Sequence, residues 1–215
     1  MGEQISIAGQ HPASPKRHLL RSPFTGRSIM TDTNKGRTLL HLARAAIAKE
    51  LGFVSHDLPR TAWLEEPAAT FVTLTLNGRM HGCIGSLEPN RPLIDDVRFN
   101  AVAAAFQDPR FAPLTKDEFA DAVIDIALLS KPEPVHFSSE DDALKQLNPG
   151  VDGVIFEYGS HRATFLPHAW ADLRHAKDLL AQLKSQAGLP EDFWSPDLKL
   201  SRFTIQKWYE AGQNG

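Results

Sequence analysis

The stretch TFVTLTLNGRMHGCIG, from Thr70 to Gly85, limits the fold more than any other part of the chain. Asn77 and Gly78 both tolerate positive φ, and such a pair between two extended runs is the strongest short-range signal for a tight β-hairpin. Upstream, Val72, Leu74 and Leu76 alternate with Phe71, Thr73 and Thr75, the period of a strand with two unlike faces. The return strand starts near Arg79. Strict alternation puts His81 and Cys83 on one face and Gly82 and Ile84 on the other. Gly85 ends this strand or bulges it.

Around the hairpin, helical and extended patterns mix without a regular strand-helix-strand repeat. Leu39, Leu42, Ala43, Ala46, Ile47 and Leu51 recur at helical spacing, with Gly52 as the stop. RPLIDDVRFNAVAAAFQD is a second helix, with Pro92 in its first turn and small residues on one face. Thr115 and Glu118 form a capping box. DAVIDIALLS is a strand bounded by KPEP, and SSEDDALKQLNPG is a short helix. VDGVIFEYGSHRATFLP is a second hairpin turning at Gly159-Ser160. ADLRHAKDLLAQLKSQAGL is a helix and LKLSRFTIQKW one late strand. Hairpins dominate, so the fold class is α+β with a mainly antiparallel sheet and flanking helices.

The net charge of −3 and pI near 6.3 give no bulk field for a nucleic-acid partner. No apolar run is long enough to span a bilayer. A single cysteine excludes an internal disulfide and any multi-cysteine metal site, and fits a reducing, cytoplasmic setting. Between Gln4 and Thr31 there is no acidic residue, while Lys16, Arg17, Arg21 and Arg27 are basic. Residues 1–32 therefore read as a disordered or spurious extension, with a start at Met30 or a transit peptide as the other readings. Residues 33–212 read as a single α+β domain.

Cys83 is the first candidate for chemistry. One reading is a small buried cysteine beside glycines needed for strand packing. The other is a nucleophilic thiolate. In that reading His81 and the N-terminus of the helix after Pro92 lower its pKa, and Gly82 and Gly85 let a substrate reach the sulfur. Asp108 and Arg110 in DPRF make a local ion pair, or free Arg110 to bind a carboxylate or phosphate. Asp152, between Gly150 and Gly153, closes a turn or orients a ligand. His168 in TFLPHAW is a further candidate for substrate binding; it and His161 lie on neighbouring segments, but two histidines without a spaced carboxylate do not make a metal pattern. No Walker loop, nucleophile elbow or HExxH occurs, and the residues name no cofactor.

The strings HGCIGSLEPNRPLIDDVRFNAVAAAFQDPRFAPLTKDEF, LLSKPEP, NPGVDGVIFEYGSHRATFLPHAW and FTIQKWYE resemble the AMMECR domain family. The resemblance runs from about Lys35 to Glu210, in the family's order. The family's hallmark is Leu-Arg-Gly-Cys-Ile-Gly. Met80 and His81 stand in its first two positions, and Gly82, Cys83, Ile84 and Gly85 match. Histidine in place of arginine weakens any anion-binding role at position 81. The resemblance implies a main antiparallel sheet with a smaller packed subdomain, a cytosolic setting, and the company of a Memo-like protein and a radical-SAM protein. It implies no established reaction. Two function classes follow: action on a small molecule or protein through a cleft at Cys83, or a binding or scaffold role in which the glycine-rich strand forms a docking groove.

Overall fold

The computed structural model describes residues 5–6, 29–54, 58–167 and 176–210. In chain order the elements are β1 (Ile5–Ser6), α1 (Ile29–Glu50), α2 (Ala62–Glu65), β2 (Thr70–Leu76), β3 (Arg79–Gly85), α3 (Leu93–Phe106), β4 (Ala122–Leu129), β5 (Glu133–Val135), α4 (Glu140–Lys145), β6 (Gly153–Tyr158), β7 (His161–Phe165), α5 (Ala176–Gln186), β8 (Lys199–Phe203) and β9 (Ile205–Tyr209). The chain divides into two compact units, Met1–Leu128 with Lys207–Gly215, and Leu129–Gln206. Each has its own sheet and core, and the α+β class holds.

The first unit is built on a five-stranded sheet in the order β1-β3-β2-β4-β9, antiparallel wherever β1 to β4 pair. The Asn77-Gly78 hairpin forms as expected, with φ of 51° and 74°. One face of the sheet presents Val72, Leu74, Ile84, Ile124 and Ile126 to Leu39, Leu42 and Ile47 of α1 and to Val97, Ala101 and Ala104 of α3. The alanines of α3 let the helix backbone come close to the strands. A buried polar cluster fastens α3 to the sheet. The Asp96 carboxylate, fully buried, accepts from the Thr70 amide (2.8 Å), the Thr70 hydroxyl (2.7 Å), the Ser86 hydroxyl (2.8 Å) and the Asn100 side-chain amide (2.9 Å). Arg91 closes the cluster with an ion pair to Asp96 at 3.2 Å. Burial pushes the Asp96 carboxyl up, against the hydrogen bonds of Thr70 and Ser86 and the charge of Arg91.

The second unit has a four-stranded sheet in the order β5-β8-β6-β7. Val154, Phe156, Leu179, Leu180, Leu183 and Leu200 form its core. Lys184, almost wholly buried, donates to Glu140 and to the Glu191 carbonyl, both at 3.0 Å.

Four expectations change. The late strand is two strands, β8 and β9, which part at Thr204 and join different sheets. Glu133–Val135 within the expected break is a short strand; Pro134 is tolerated there because β5 is the sheet edge. The first helix begins at Ile29 rather than near Thr33, since neither proline nor glycine lies between Ile29 and Lys35 to stop it. Finally, Ile5 and Ser6 pair with Gly85 and Ile84 of β3, so the segment before residue 33 is not an unstructured extension throughout.

Candidate functional site

A one-residue irregularity decides where Cys83 points. An uninterrupted two-residue hairpin would set Thr73 opposite Gly82. Instead Thr75 pairs with Met80 and Leu74 with Gly82, leaving His81 as the extra residue of a β-bulge. Beyond the bulge Leu74 and Gly82 share the helix-facing side, and Thr73 and Cys83 share the opposite one. A one-residue shift moves every later side chain to the other face. Because Thr73 also pairs with Asp125 of β4, Cys83, Thr73 and Asp125 form one row across three strands. Lys207 of β9 acts electrostatically on both Cys83 and Asp125.

The backbone of Cys83 is held from the far side of β3. Its amide donates to Asp108 Oδ2 at 2.9 Å, and its carbonyl accepts from Arg110 Nη2 at 3.3 Å. Arg110 grips Asp108 with two prongs, Nε to Oδ1 at 2.9 Å and Nη2 to Oδ2 at 2.7 Å. This fork satisfies backbone groups that no strand covers at this position among the described residues, where β1 pairs at Ile84 and Gly85. The Cys83 backbone thus turns away from β2, which makes Thr73 and Cys83 a pair of the closely spaced kind. The Thr73 hydroxyl accordingly donates to Cys83 Sγ at 3.2 Å.

Cys83 is buried, with 5% of the residue exposed. Burial pushes it above the ordinary cysteine range, and the Thr73 hydrogen bond, Arg110 and Lys207 offset this only in part, with Asp108 opposing them. Asp108 itself is pushed up by burial, but Arg110 and the amides of Cys83 and Arg110 outweigh this and hold it below the usual carboxylate range. Asp125 differs in kind. It is half-buried in the middle of a strand, and among the described residues it has neither a hydrogen bond nor an ion pair. Burial pushes its carboxyl up, Lys207 pulls it down, and Glu210 raises it again. Lys207 is exposed and likewise has no ion pair among the described residues.

The expected site residues are placed as follows. Cys83 and Arg110 come together, through the backbone. The glycines do not open a path to the sulfur: a Cβ on Gly82 would strike the Ala104 carbonyl of α3, and one on Gly85 would strike the Phe71 ring. That space is filled by protein, so both glycines serve close packing at these positions. His81 stacks on Phe111 with ring centroids 6.2 Å apart, and the bulge breaks the alternation that would have put it beside Cys83. Its Nε2 is buried without a partner among the described residues. The start of α3 does not serve the thiol either. Asp96 ties that end to Thr70 and Ser86, and the part of α3 over Gly82 is its last turn, the negative end of the helix. The expected lowering of the thiol pKa is therefore reversed. Asp152, in the second unit, accepts from the Asn148 amide (2.8 Å) and side chain (3.0 Å), closing a turn. His168 lies outside the described residues. Among the described residues no group of three or more histidine, cysteine or acidic side chains is placed to hold a metal ion, and no helix is long and apolar enough to cross a membrane.

Sequence reasoning missed Thr73, Asp125 and Lys207. A signal for Asp125 was present: it is the single charged residue in AVIDIALL, and an acid inside an apolar strand needs a reason.

The AMMECR1 family profile matches residues 40–208, which include the whole row. A protein of Methanothermobacter thermautotrophicus is 36% identical over 186 residues, 83% of this chain and 96% of that protein. One of Thermotoga maritima is 40% identical over 146 residues, 66% of this chain and 77% of its own length. The crystal structure of uncharacterized protein PH0010 from Pyrococcus horikoshii matches with a TM-score of 0.70 at 29% identity, over 83% of this chain and 93% of that one.

Proposed function

The chain belongs to the AMMECR1 family, and from the geometry of its first unit we propose that it holds a small molecule on the sheet face carrying Cys83, Thr73, Asp125 and Lys207. One observation carries this reading: the half-buried Asp125 carboxyl has neither hydrogen bond nor ion pair among the described residues. Partial burial of an unpaired charge costs stability, and such groups concentrate where a ligand supplies the missing partner. In this reading Cys83 stays a protonated thiol at neutral pH and forms part of the wall. Thr73 lies between the thiol and the carboxyl in the register, and its oxygen keeps lone pairs that a ligand can use. The Memo-like and radical-SAM proteins of the resemblance are the partners to which such a molecule would pass.

The sign of the Asp125 shift supplies a ligand-free test. Its folded pKa is raised, so its favourable contribution is complete below the ordinary carboxyl value and is lost as pH rises through the folded value. At neutral pH the ionised group weakens the fold. Asp125→Asn is expected to raise stability at neutral pH by about 0.5–2 kcal/mol, the range of a single stabilising substitution, and to narrow that gap in acid. In a thermal-shift screen of metabolites, compounds that stabilise the wild type should lose their effect on the variant. A variant that melts lower than wild type, or that keeps every compound-induced shift, overturns the proposal.

A further inference from the structure

Five charged groups lie in or around the row, Asp108, Arg110, Asp125, Lys207 and Glu210, and among the described residues two of them have neither a hydrogen bond nor an ion pair. Arg110 is spent on Asp108 in a bidentate pair that also grips the Cys83 backbone. Glu210 is spent on Arg44 and on the Ile124 amide. Asp125 and Lys207 remain. They carry opposite charges and feel one another, yet they do not close to the 4.0 Å of an ion pair. An exposed lysine with a flexible stem would ordinarily swing onto a neighbouring carboxylate if the backbone allowed it. Both charged ends are therefore without a partner among the described residues.

The two ends differ in character. At the Asp125 end the acceptors gather: the carboxylate, the remaining lone pairs of the Thr73 hydroxyl, and Cys83 Sγ, with the negative charge of Glu210 adding to the field. That end suits a cationic donor. At the other end the Lys207 ammonium, exposed and unpaired among the described residues, suits an anion. We propose, on the small-molecule reading above, that the ligand is a zwitterion whose ammonium meets Asp125 and Thr73 and whose carboxylate meets Lys207. Of the two readings of Arg110 from sequence, the local ion pair with Asp108 is the one that forms, so the anion falls to Lys207.

The test uses the full chain and defined probes. Glycine, β-alanine and 4-aminobutyrate graduate the spacing between the two charges, while methylamine and acetate carry one charge each. Binding is followed by NMR chemical-shift titration on wild type, Asp125→Asn and Lys207→Met. The methionine keeps the apolar stem, and neither side chain makes a hydrogen bond among the described residues. At least one amino acid should bind about tenfold more tightly than either single-charge probe, and each variant should lose about that factor, the size of one modest charge contact. If methylamine matches the best amino acid and Lys207→Met changes nothing while Asp125→Asn abolishes binding, the zwitterion is wrong and the site stands. If no probe depends on Asp125, both the zwitterion and the small-molecule reading fail.

Discussion

At Cys83 the side chain and the backbone have been given different tasks. The peptide groups on either side of the sulfur are fixed by Asp108 and Arg110, while the sulfur takes a hydrogen bond from Thr73. Fixing the backbone with a charged fork at the strand's edge makes that position rigid without bringing a base to the thiol. The cations that act on it, Arg110 and Lys207, do not overcome burial. The measurable result is the alkylation rate of native Cys83 with iodoacetamide against pH. We expect a midpoint above the ordinary cysteine value of about 8.5, and a further rise in Thr73→Val, which removes the hydrogen bond that stabilises the thiolate. A midpoint below that value in the native protein would return Cys83 to the nucleophile reading. That Cys83 was a candidate was legible in the sequence from its place between glycines. Its environment was not, because a strand's alternation says nothing about whether a bulge precedes the residue. Asp125 is the converse: its environment was half legible, since a lone acid in an apolar strand is conspicuous, but its neighbours came only from the register.

Among the elements, the β2–β3 hairpin shows how far local chemistry carries. Asn77-Gly78 determines the turn, and the alternation of β2 determines which of its faces meets the core. The return strand is different. Its face depends on whether β3 keeps step with β2, and the bulge at His81 is selected by packing: it turns Gly82 toward α3, where a side chain would strike the Ala104 carbonyl. No window of sequence confined to the hairpin contains that requirement, since the helix that imposes it lies farther along the chain. The two glycines of the hairpin should therefore respond differently to alanine. At Gly78 there is open space around a Cβ and the cost is one of backbone conformation. At Gly82 the added carbon meets helix backbone, which cannot turn aside. Gly82→Ala should destabilise the fold by about 1–3 kcal/mol, the cost of overpacking. It should also shift the amide resonances of Ala104 and its neighbours. Unchanged urea denaturation midpoints would show that α3 can retreat from β3, and that the bulge has another cause.

For the molecule as a whole, the first unit is discontinuous: its sheet is finished by residues that follow the entire second unit. The sequence hid this by running β8 and β9 together, because LKLSRFTIQKW has an unbroken strand-like composition and only Thr204 marks where one sheet ends and another begins. What the returning segment brings is visible at two positions. Trp208 fills the space over Gly36 in α1, where even a Cβ would strike the indole ring. Glu210 pairs with Arg44, which also donates to the Phe119 carbonyl (2.9 Å) and the Ala122 carbonyl (2.6 Å), and Glu210 accepts from the Ile124 amide at 3.0 Å. The same short segment carries Lys207 to the polar row. The order of assembly follows: the row is complete only after β9 has docked, and β9 docks through Trp208 and Glu210. Trp208→Ala should cost about 2–4 kcal/mol, somewhat less than truncation of a fully buried aromatic because the ring is only half-buried. Hydrogen exchange should show the loss first in the amides of β9 and of β4 beside it, with the core of β6 and β8 in the second unit keeping its protection. Equal loss of protection in both units would mean that they unfold as one cooperative body, and that the returning strand stabilises the whole chain rather than the sheet it completes.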